Sequence, residues 1–261
     1  MDSTSVDTSR FRDIEASKRW QNAAPFVFAI VLLSGLEMFL AAKKIPAFVF
    51  PKPTEVAQAF AANWEQLGSN ALITLGEVVF GYLIAAVVGI FVAILITQFP
   101  IVNAALTPYT VFLATMPMIA LIPLMMIWLG FGMGTRILIV VLQSFPVIMM
   151  NAATGFNHVD TLKLELMKSL GAGRRQTLVT VIIPDALPHI FTGLRLAGIF
   201  ATTAAICCEF SGGTTGLGVQ IIKATSFSKM GLAFAGILVV AAMGVSLYCI
   251  IRFLERKIVK R

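Results

Sequence analysis

Six long apolar stretches constrain the fold of this chain more than any other feature. They are residues 25–42, 71–97, 105–129, 136–156, 189–209 and 231–253. A helix needs about 20 mostly apolar residues to cross a hydrocarbon core of about 30 Å, and each stretch meets or nearly meets that length. The stretches are continuous and lack the period-two alternation of a transmembrane barrel. The sequence therefore predicts an all-α membrane protein with six transmembrane helices.

The composition excludes most soluble classes of protein. Hydrophobic residues make up 58% of the 261 residues and charged residues only 13%, whereas a soluble domain has about 25% charged residues. A soluble enzyme and a disordered chain are therefore excluded. The three cysteines lie in apolar runs, where a thiol behaves as a small hydrophobic group, so a disulfide scaffold is excluded as well.

The distribution of Lys and Arg predicts the orientation in the membrane. Thirteen of the twenty lie before the first stretch, in the loop of residues 157–188, or at the C-terminal end, and only five lie in the loops of the other side. Because cytoplasmic loops are enriched in basic residues, we predict that both termini are cytoplasmic. The net charge of +7 then reflects orientation and not nucleic-acid binding. We divide the chain into a cytoplasmic segment 1–24, a transmembrane domain 25–256 and a basic cytoplasmic tail 257–261.

The loop of residues 157–188 is longer than a connector needs. It shows helical character on both sides of the run Leu170-Gly171-Ala172-Gly173. A glycine at the centre permits a sharp turn between two short helices. The sequence therefore predicts a compact knob, built as helix, glycine hinge and helix, on the cytoplasmic side.

The same loop carries the most specific motif of the chain. Residues 165–184 read ELMKSLGAGRRQTLVTVIIP. This run resembles the EAA loop of permease subunits in ABC importers, with Glu165, Gly171 and Pro184 at the spacing of that pattern. Two alanines of the pattern are replaced by Leu166 and Met167.

The resemblance extends over roughly residues 50–255. It includes TLGEVVFGY in the second stretch, MPMIALIPLMMIWLGFG in the third, FPVIMMNAATGF in the fourth, PDALPHIFTGLRLA in the fifth and EFSGGTTGLG before the sixth. These segments are similar to the branch of binding-protein-dependent permeases that includes nitrate, sulfonate and taurine systems. The resemblance implies the type I ABC importer permease fold in the inner membrane.

The resemblance also implies the partners of the chain. The knob is expected to dock on a separate ATPase subunit, and an external solute-binding protein is expected to deliver the solute. A homodimer with two ATPase subunits is the economical assembly. The coupling residues are expected to be Glu165, Ser169, Gly171, Ala172, Arg174, Arg175 and Pro184.

The sequence lacks the motifs of a nucleotide-binding or metal-binding protein. No GxxxxGK[ST] loop is present, so we expect ATP to bind the partner ATPase and not this chain. No HExxH motif and no CxxC pair is present either, and we expect neither a metal nor another cofactor. The chain is therefore predicted to be a transport subunit and not an enzyme.

Residues inside the apolar stretches supply candidates for the transport path. Ionisable groups at membrane depth are costly and are often functional, and flexible methionines can line a gate. The candidates are Glu77, Met116, Met118, Arg195 and Glu209. Alternatively, Glu77 and Arg195 tie helices together, as a buried ion pair or through bonds to backbone carbonyls. The methionines then fill the core or face lipid, and Glu209 caps the glycine-rich segment that follows it.

The third stretch contains three prolines, Pro108, Pro117 and Pro123. Each removes a backbone donor and can kink a helix, so we predict a kinked third span packed inside the bundle.

The cargo and the class of transporter have alternatives. Relatives that move nitrate or taurine resemble TL-x-R, whereas this chain continues from Thr74 and Leu75 to Glu77 in place of the basic residue. A carboxylate there favours an organic ring compound, such as a pyrimidine precursor, over a sulfonate, nitrate or taurine-like anion. An ion-coupled secondary transporter would explain buried charges, but such folds usually show internal repeats. A non-transporting membrane scaffold would explain the knob but not the buried charges.

Overall fold

A computed structural model describes residues 8–259 of the chain, without the side chains of residues 8–23 and 26. The start of the predicted N-terminal segment and the end of the predicted basic tail lie outside the described residues. The regular elements of the described part are all helical. They are α1 (Thr8–Ala42), α2 (Pro53–Ala62), α3 (Trp64–Gln98), α4 (Pro100–Thr115), α5 (Met118–Leu129), α6 (Met133–Asn157), α7 (Thr161–Ser169), α8 (Arg174–Thr177), a π-helical turn (Leu178–Ile182), α9 (Ile183–Gly212), α10 (Leu217–Ser226) and α11 (Met230–Ile258).

The helices account for the six predicted membrane spans. Among the described residues, four continuous helical segments are long and apolar enough to cross a membrane: α3, α6, α8 through α9, and α11. The bent pair α4 and α5 makes a fifth when the two helices are counted as one broken span. The first predicted span corresponds to the apolar part of α1, Val27–Ala42, which is shorter than the four continuous spans and belongs to a helix that begins further upstream, at Thr8.

The predicted kink of the third span is a full break at one of its three prolines. α4 and α5 are separate helices that meet at 100°. The break falls at Met116, which is extended with ψ 129°, and Pro117. A residue before proline avoids helical dihedrals because of the clash with the proline ring, which explains the break. Pro108 and Pro123 lie inside α4 and α5 without ending either helix.

The centre of the bundle is α6, which packs between α3 and α9 along most of its length. Small residues bring these helices close together. A Cβ at Gly81 in α3 would lie 2.6 Å from Val140 of α6, and one at Gly193 in α9 would lie 2.7 Å from Asn151 of α6. Helices in membranes associate through such small residues because lipid provides little hydrophobic driving force between them.

Different helices and loops lie at the two ends of the bundle. The chain segment around α7 and α8 lies at one end, which we call the knob end. The other end, which we call the opposite end, holds α2, the start of α3, the glycine-rich segment 211–216 and α10. α10 packs on α9 and α11, and α2 packs on α11. The candidate sites described below lie at both ends and between them.

Candidate functional site

The knob, defined here as residues 161–177, leaves the bundle as two short helices. The Asp160 carboxylate accepts a hydrogen bond from the Leu162 N–H at 2.9 Å, so it caps the start of α7. After α7 the chain turns at Gly171, where φ is +72°. Glycine adopts this left-handed conformation without the steric penalty of other residues. The first short helix and the glycine hinge are therefore present as predicted, but the second helix is not a separate short one: it runs on from Arg174 into the fifth span.

The surroundings of Gly171 show why a glycine is needed at the hinge. A Cβ at Gly171 would meet no described atom within 4 Å. Close packing within the chain therefore does not require glycine here, and the positive φ does. Gly173, two residues later, has equally open space but an ordinary φ of −70°, which makes it a matched control.

The structure places all seven predicted coupling residues on the knob or at the start of α9. Six are exposed and Ala172 is half-buried. The three charged members form no ion pair with any residue that the structure describes. The seven residues are Glu165, Ser169, Gly171, Ala172, Arg174, Arg175 and Pro184.

An exposed row of leucines on the knob was not predicted. Leu162, Leu166 and Leu170 are 70%, 58% and 71% exposed. Their spacing of four residues places them on one face of α7. Leu166, which departs from the alanine of the family pattern, enlarges this apolar face. The i, i+4, i+8 spacing of leucines in a polar loop was the signal that could have revealed it.

An ion pair joins the knob to the fifth span. The Lys163 Nζ lies 2.6 Å from an Asp185 oxygen and 2.8 Å from the other. The two side chains are 52% and 30% exposed, so the pair contributes little to stability, and it is a side-chain contact between α7 and α9. Because α8 also continues through the π-helical turn into α9, the knob and the fifth span are connected at two points.

The alternative of a buried ion pair between Glu77 and Arg195 is wrong. Glu77 of α3 pairs with Arg136 of α6. Glu77 is 0% exposed and Arg136 is 5% exposed, and the Arg136 guanidinium also donates to the Thr215 carbonyl at 3.2 Å. Glu77 is therefore a structural partner of Arg136 in this structure, and its charge is not presented to a path.

Arg195 has a different partner because it lies nearer the other end of α9. It pairs with Glu255 near the end of α11 and donates to the Thr192 hydroxyl at 3.1 Å. Arg195 and Glu209 are fourteen residues apart on α9, which is roughly 21 Å along a helix axis. Arg195 thus ties α9 to α11 near the knob end, while Glu77 lies near the opposite end.

Glu209 binds the helix that follows the glycine-rich segment. Its carboxylate accepts hydrogen bonds from the Thr74 hydroxyl at 2.6 Å and from the Gly218 N–H in the first turn of α10. The Thr74 oxygen in turn accepts the Leu217 N–H at 3.0 Å. Glu209 is 1% exposed. The carboxylate therefore caps α10, the alternative role considered from the sequence.

Gly216 makes room for this carboxylate. It has φ +117°, and a Cβ on it would overlap the Glu209 carboxylate. The Gly216 N–H donates to the Asn70 side chain at 3.1 Å. The Glu209 carboxylate therefore needs a glycine at this position, and it lies close enough to Glu77 and Arg136 to interact with both charges, so that the three residues form one buried cluster.

The two candidate methionines lie at the break of the third span. Met116 and Met118 line a cavity of about 310 Å³ together with Gln143 of α6 and Phe200 and Thr203 of α9. None of the described residues that line this cavity is ionised. The Gln143 side-chain oxygen is shielded and has no hydrogen-bond partner among the described residues. The structure thus brings the methionines together with an unpaired acceptor and an aromatic ring.

Comparisons with known proteins agree with this architecture. Residues 85–260 match the family model described as "Binding-protein-dependent transport system inner membrane component". The chain is similar to a solved amino acid ABC transporter with histidines, with a TM-score of 0.62 and 18% identity over 77% of this chain and 97% of that chain. At that identity the likeness is one of fold.

Curated relatives are similar over most of their length. The taurine transport system permease TauC of Escherichia coli is 32% identical over 76% of this chain and 70% of its own. The putative aliphatic sulfonates transport permease SsuC of Bacillus subtilis is 31% identical over 83% and 79%. The formylaminopyrimidine transport permease ThiX of Halalkalibacterium halodurans is 28% identical over 91% and 95%.

These matches explain the fold, the apolar helices and the protruding knob together. The relatives are named as transport permeases and not as enzymes. The chain belongs to the family of binding-protein-dependent transport system inner membrane components, the multi-pass permease subunits of ABC transporters.

Proposed function

We propose that this chain forms the transport path of an ATP-driven importer for a small solute, delivered by an external binding protein and driven by a separate ATPase subunit. The observation that carries the proposal is the exposed leucine face of the knob, Leu162, Leu166 and Leu170. Water-exposed apolar surface in a loop outside the membrane marks an interaction site. An ATPase subunit seated on the knob would cover it.

The charges of the knob define what the ATPase would present. Glu165, Arg174 and Arg175 are exposed and unpaired among the described residues. A groove with an apolar floor and charged rims of both signs would complement the leucine face and these three side chains. In this proposal ATP binds on that partner and not on this chain.

The connection of the knob to the fifth span suggests how a movement of the ATPase is transmitted to the transport path. A shift of the knob pulls α9 through the continuous helix after Arg174 and through the Lys163–Asp185 pair. α9 lines the cavity at the break of the third span with Phe200 and Thr203. Closure of an ATPase pair would therefore move a wall of the path.

Capture of the ATPase by variants of the knob tests this proposal. Leu166→Gln removes part of the apolar face, so capture of the cognate ATPase subunit by the purified chain should weaken about tenfold, as expected for a loss of about 1.4 kcal/mol of apolar burial. Lys168→Gln is the matched control, since Lys168 is exposed on another face of α7. Equal capture by both variants would refute docking through the leucine face.

We propose that two copies of the chain enclose the path. α5 leaves Ile119, Ile127 and Trp128 about 70% exposed, and the cavity with Met116 and Met118 opens beside it. A second copy packed along this face would close the cavity, and each copy would dock one ATPase. Crosslinking between Ile127→Cys copies in the membrane should give a covalent dimer, whereas Val245→Cys on the exposed face of α11 should not.

For the cargo, we propose a neutral or weakly charged organic ring compound. The position of Glu77 no longer supports this choice, because Glu77 is buried against Arg136. The cavity at the break supports it instead: Phe200 offers a stacking surface and the Gln143 oxygen an acceptor for a ring N–H, with no ionised side chain among the described residues around them. ThiX is named for formylaminopyrimidine, whereas TauC and SsuC are named for taurine and aliphatic sulfonates. The ligand that co-purifies with the cognate binding protein decides: a sulfonate or other anion would refute the ring compound.

We propose that the knob end faces the cytoplasm of a cell with an inner membrane, and with it both termini. The excess of Lys and Arg at that end supports this orientation. In intact cells, a membrane-impermeant thiol reagent should label Thr225→Cys at the opposite end and should label Arg174→Cys only after permeabilisation. Labelling of Arg174→Cys in intact cells would invert the orientation and remove the ATPase contact.

A further inference from the structure

A polar pocket of about 290 Å³ lies at the end of the bundle opposite the knob. It is formed where the start of α3, the glycine-rich segment, α10 and the start of α11 meet. Side-chain amides and lysines dominate its lining, namely Asn63, Gln66, Asn70, Gln220, Lys223 and Lys229. No Asp or Glu is among the described residues that line it. It is separate from the knob and from the cavity at the break of the third span, and it borders the buried Glu77 cluster: the carbonyl of its lining residue Thr215 accepts from Arg136, and Gly216 lies against the Glu209 carboxylate.

A chain of hydrogen bonds fixes which amide atoms remain available. The Gly216 N–H donates to the Asn70 oxygen at 3.1 Å, so the Asn70 nitrogen is the donor toward its other neighbours. That nitrogen donates to the Gln220 oxygen at 3.1 Å. The Gln220 nitrogen is therefore left as a donor, and it has no partner among the residues that the structure describes.

This unpaired donor is costly where it lies. Gln220 is 5% exposed, and a buried donor without an acceptor costs on the order of 1–3 kcal/mol. Structures rarely keep such a group without a reason. An acceptor brought into the pocket would offset that cost.

The lysines add positive charge to the same pocket. Lys223 and Lys229 are exposed and form no ion pair with any described residue. Only five basic residues lie in the loops of this end of the chain, and two of the five line one pocket. The described lining thus combines two unneutralised ammonium groups and a free amide donor with no carboxylate.

We propose that this pocket binds an oxyanion, either a carboxylate or a sulfate-like group. Two sources supply this chemistry: a free anion from solution, or a carboxylate side chain of the external binding protein when it sits on this end. An oxygen acceptor suits this pocket because Gln220, one of its lining residues, holds a donor nitrogen without a partner among the described residues, and the exposed lysines attract negative charge.

A cysteine placed in the pocket tests the charge and the ligand together. Thr214 is exposed and lines the pocket, so Thr214→Cys in nanodiscs is modified with an anionic and with a cationic methanethiosulfonate reagent. Ser69→Cys, exposed at the same end but outside the lining, is the matched control. The parent chain gives the background from its native cysteines.

The lysines should speed the reaction of Thr214→Cys with the anionic reagent and slow its reaction with the cationic reagent. Two positive charges at about one Debye length from the thiol should raise the ratio of its reaction rate with the anionic reagent to that with the cationic reagent. At physiological salt we expect this ratio to be about threefold to fourfold above that of the control. Replacing both lysines (Lys223→Gln with Lys229→Gln) should return the ratio to the control value. A Thr214→Cys ratio equal to that of Ser69→Cys overturns the proposal.

Protection by added anions tests binding. At constant ionic strength, acetate or sulfate in place of chloride should slow modification of Thr214→Cys and leave Ser69→Cys unchanged, which assigns the site to free anions. If only the cognate binding protein protects Thr214→Cys from modification, and the double lysine variant loses that protection, the oxyanion is a carboxylate of the binding protein. This part of the experiment alone rests on the proposed function. Gln220→Met keeps the length of the side chain but removes its donor, and should weaken protection while preserving the charge ratio. Absence of protection by acetate, sulfate and the binding protein overturns the proposal.

Discussion

The buried cluster of Glu77, Arg136 and Glu209 allows a sharp prediction about stability. Arg136 is the one cation in this trio, facing two carboxylates that are each at most 1% exposed. Arg136→Gln leaves both carboxylates without that positive charge. Removing one partner of a buried ion pair costs about 3–5 kcal/mol, and we expect Arg136→Gln to reach that range.

Glu77→Gln should cost less than Arg136→Gln. The guanidinium keeps the Thr215 carbonyl as an acceptor, and the Glu209 carboxylate remains nearby to offset its charge. Removing one buried hydrogen-bond partner costs about 1–3 kcal/mol, and we expect a loss at the lower end of that range. The double variant should cost less than the sum of the two single ones, with a coupling of about 1–3 kcal/mol.

Unfolding in mixed micelles with increasing dodecyl sulfate measures these differences. Arg195→Gln is the control, because its pair with Glu255 is about 20% exposed on each side and its loss should therefore cost less than the loss of the fully buried Arg136. If Arg136→Gln is no more destabilising than Glu77→Gln, or if the two losses simply add, the buried cluster does not hold α3, α6 and α9 together as described.

Two glycines provide further predictions. Gly171→Ala should destabilise the knob by about 1–2 kcal/mol because of the positive φ at this position, and it should reduce ATPase capture with the spans still inserted. Gly173→Ala should leave capture unchanged. Equal capture by both variants would mean that the hinge does not depend on left-handed backbone. Gly216→Ala should lower the midpoint of thermal unfolding strongly, because its Cβ would overlap a buried carboxylate, and a variant as stable as the parent chain would contradict that packing.

The spans and the knob could be predicted because each depends on local sequence. Twenty apolar residues in a row have few alternatives to a membrane helix, and a glycine between two helical runs marks a hinge. The break in the third span was harder to locate, since Pro108, Pro117 and Pro123 look alike in sequence. Of the three, only Pro117 is preceded by a residue that leaves the helix, and that depends on how the two halves pack.

The expected partner of Glu77 was wrong because the position of each charged residue along its span, and hence its depth in the membrane, was not considered. Successive spans alternate in direction, so the start of α6 and the end of α9 lie at the same end of the bundle. This alternation places Glu77 beside Arg136 and Glu209, and places Arg195 beside Glu255. Counting residues from each loop could have shown it. The free donor on Gln220 could not be foreseen, because it results from a hydrogen-bond chain between residues distant in sequence.

Uptake into proteoliposomes tests the central claim most directly. The purified chain alone should neither hydrolyse ATP nor accumulate solute, with or without an ion gradient. Together with its cognate ATPase and its loaded binding protein, it should accumulate the solute only when ATP is supplied, and Leu166→Gln should reduce that uptake. Accumulation driven by an ion gradient in the absence of the ATPase, or ATP hydrolysis by this chain alone, would contradict the account.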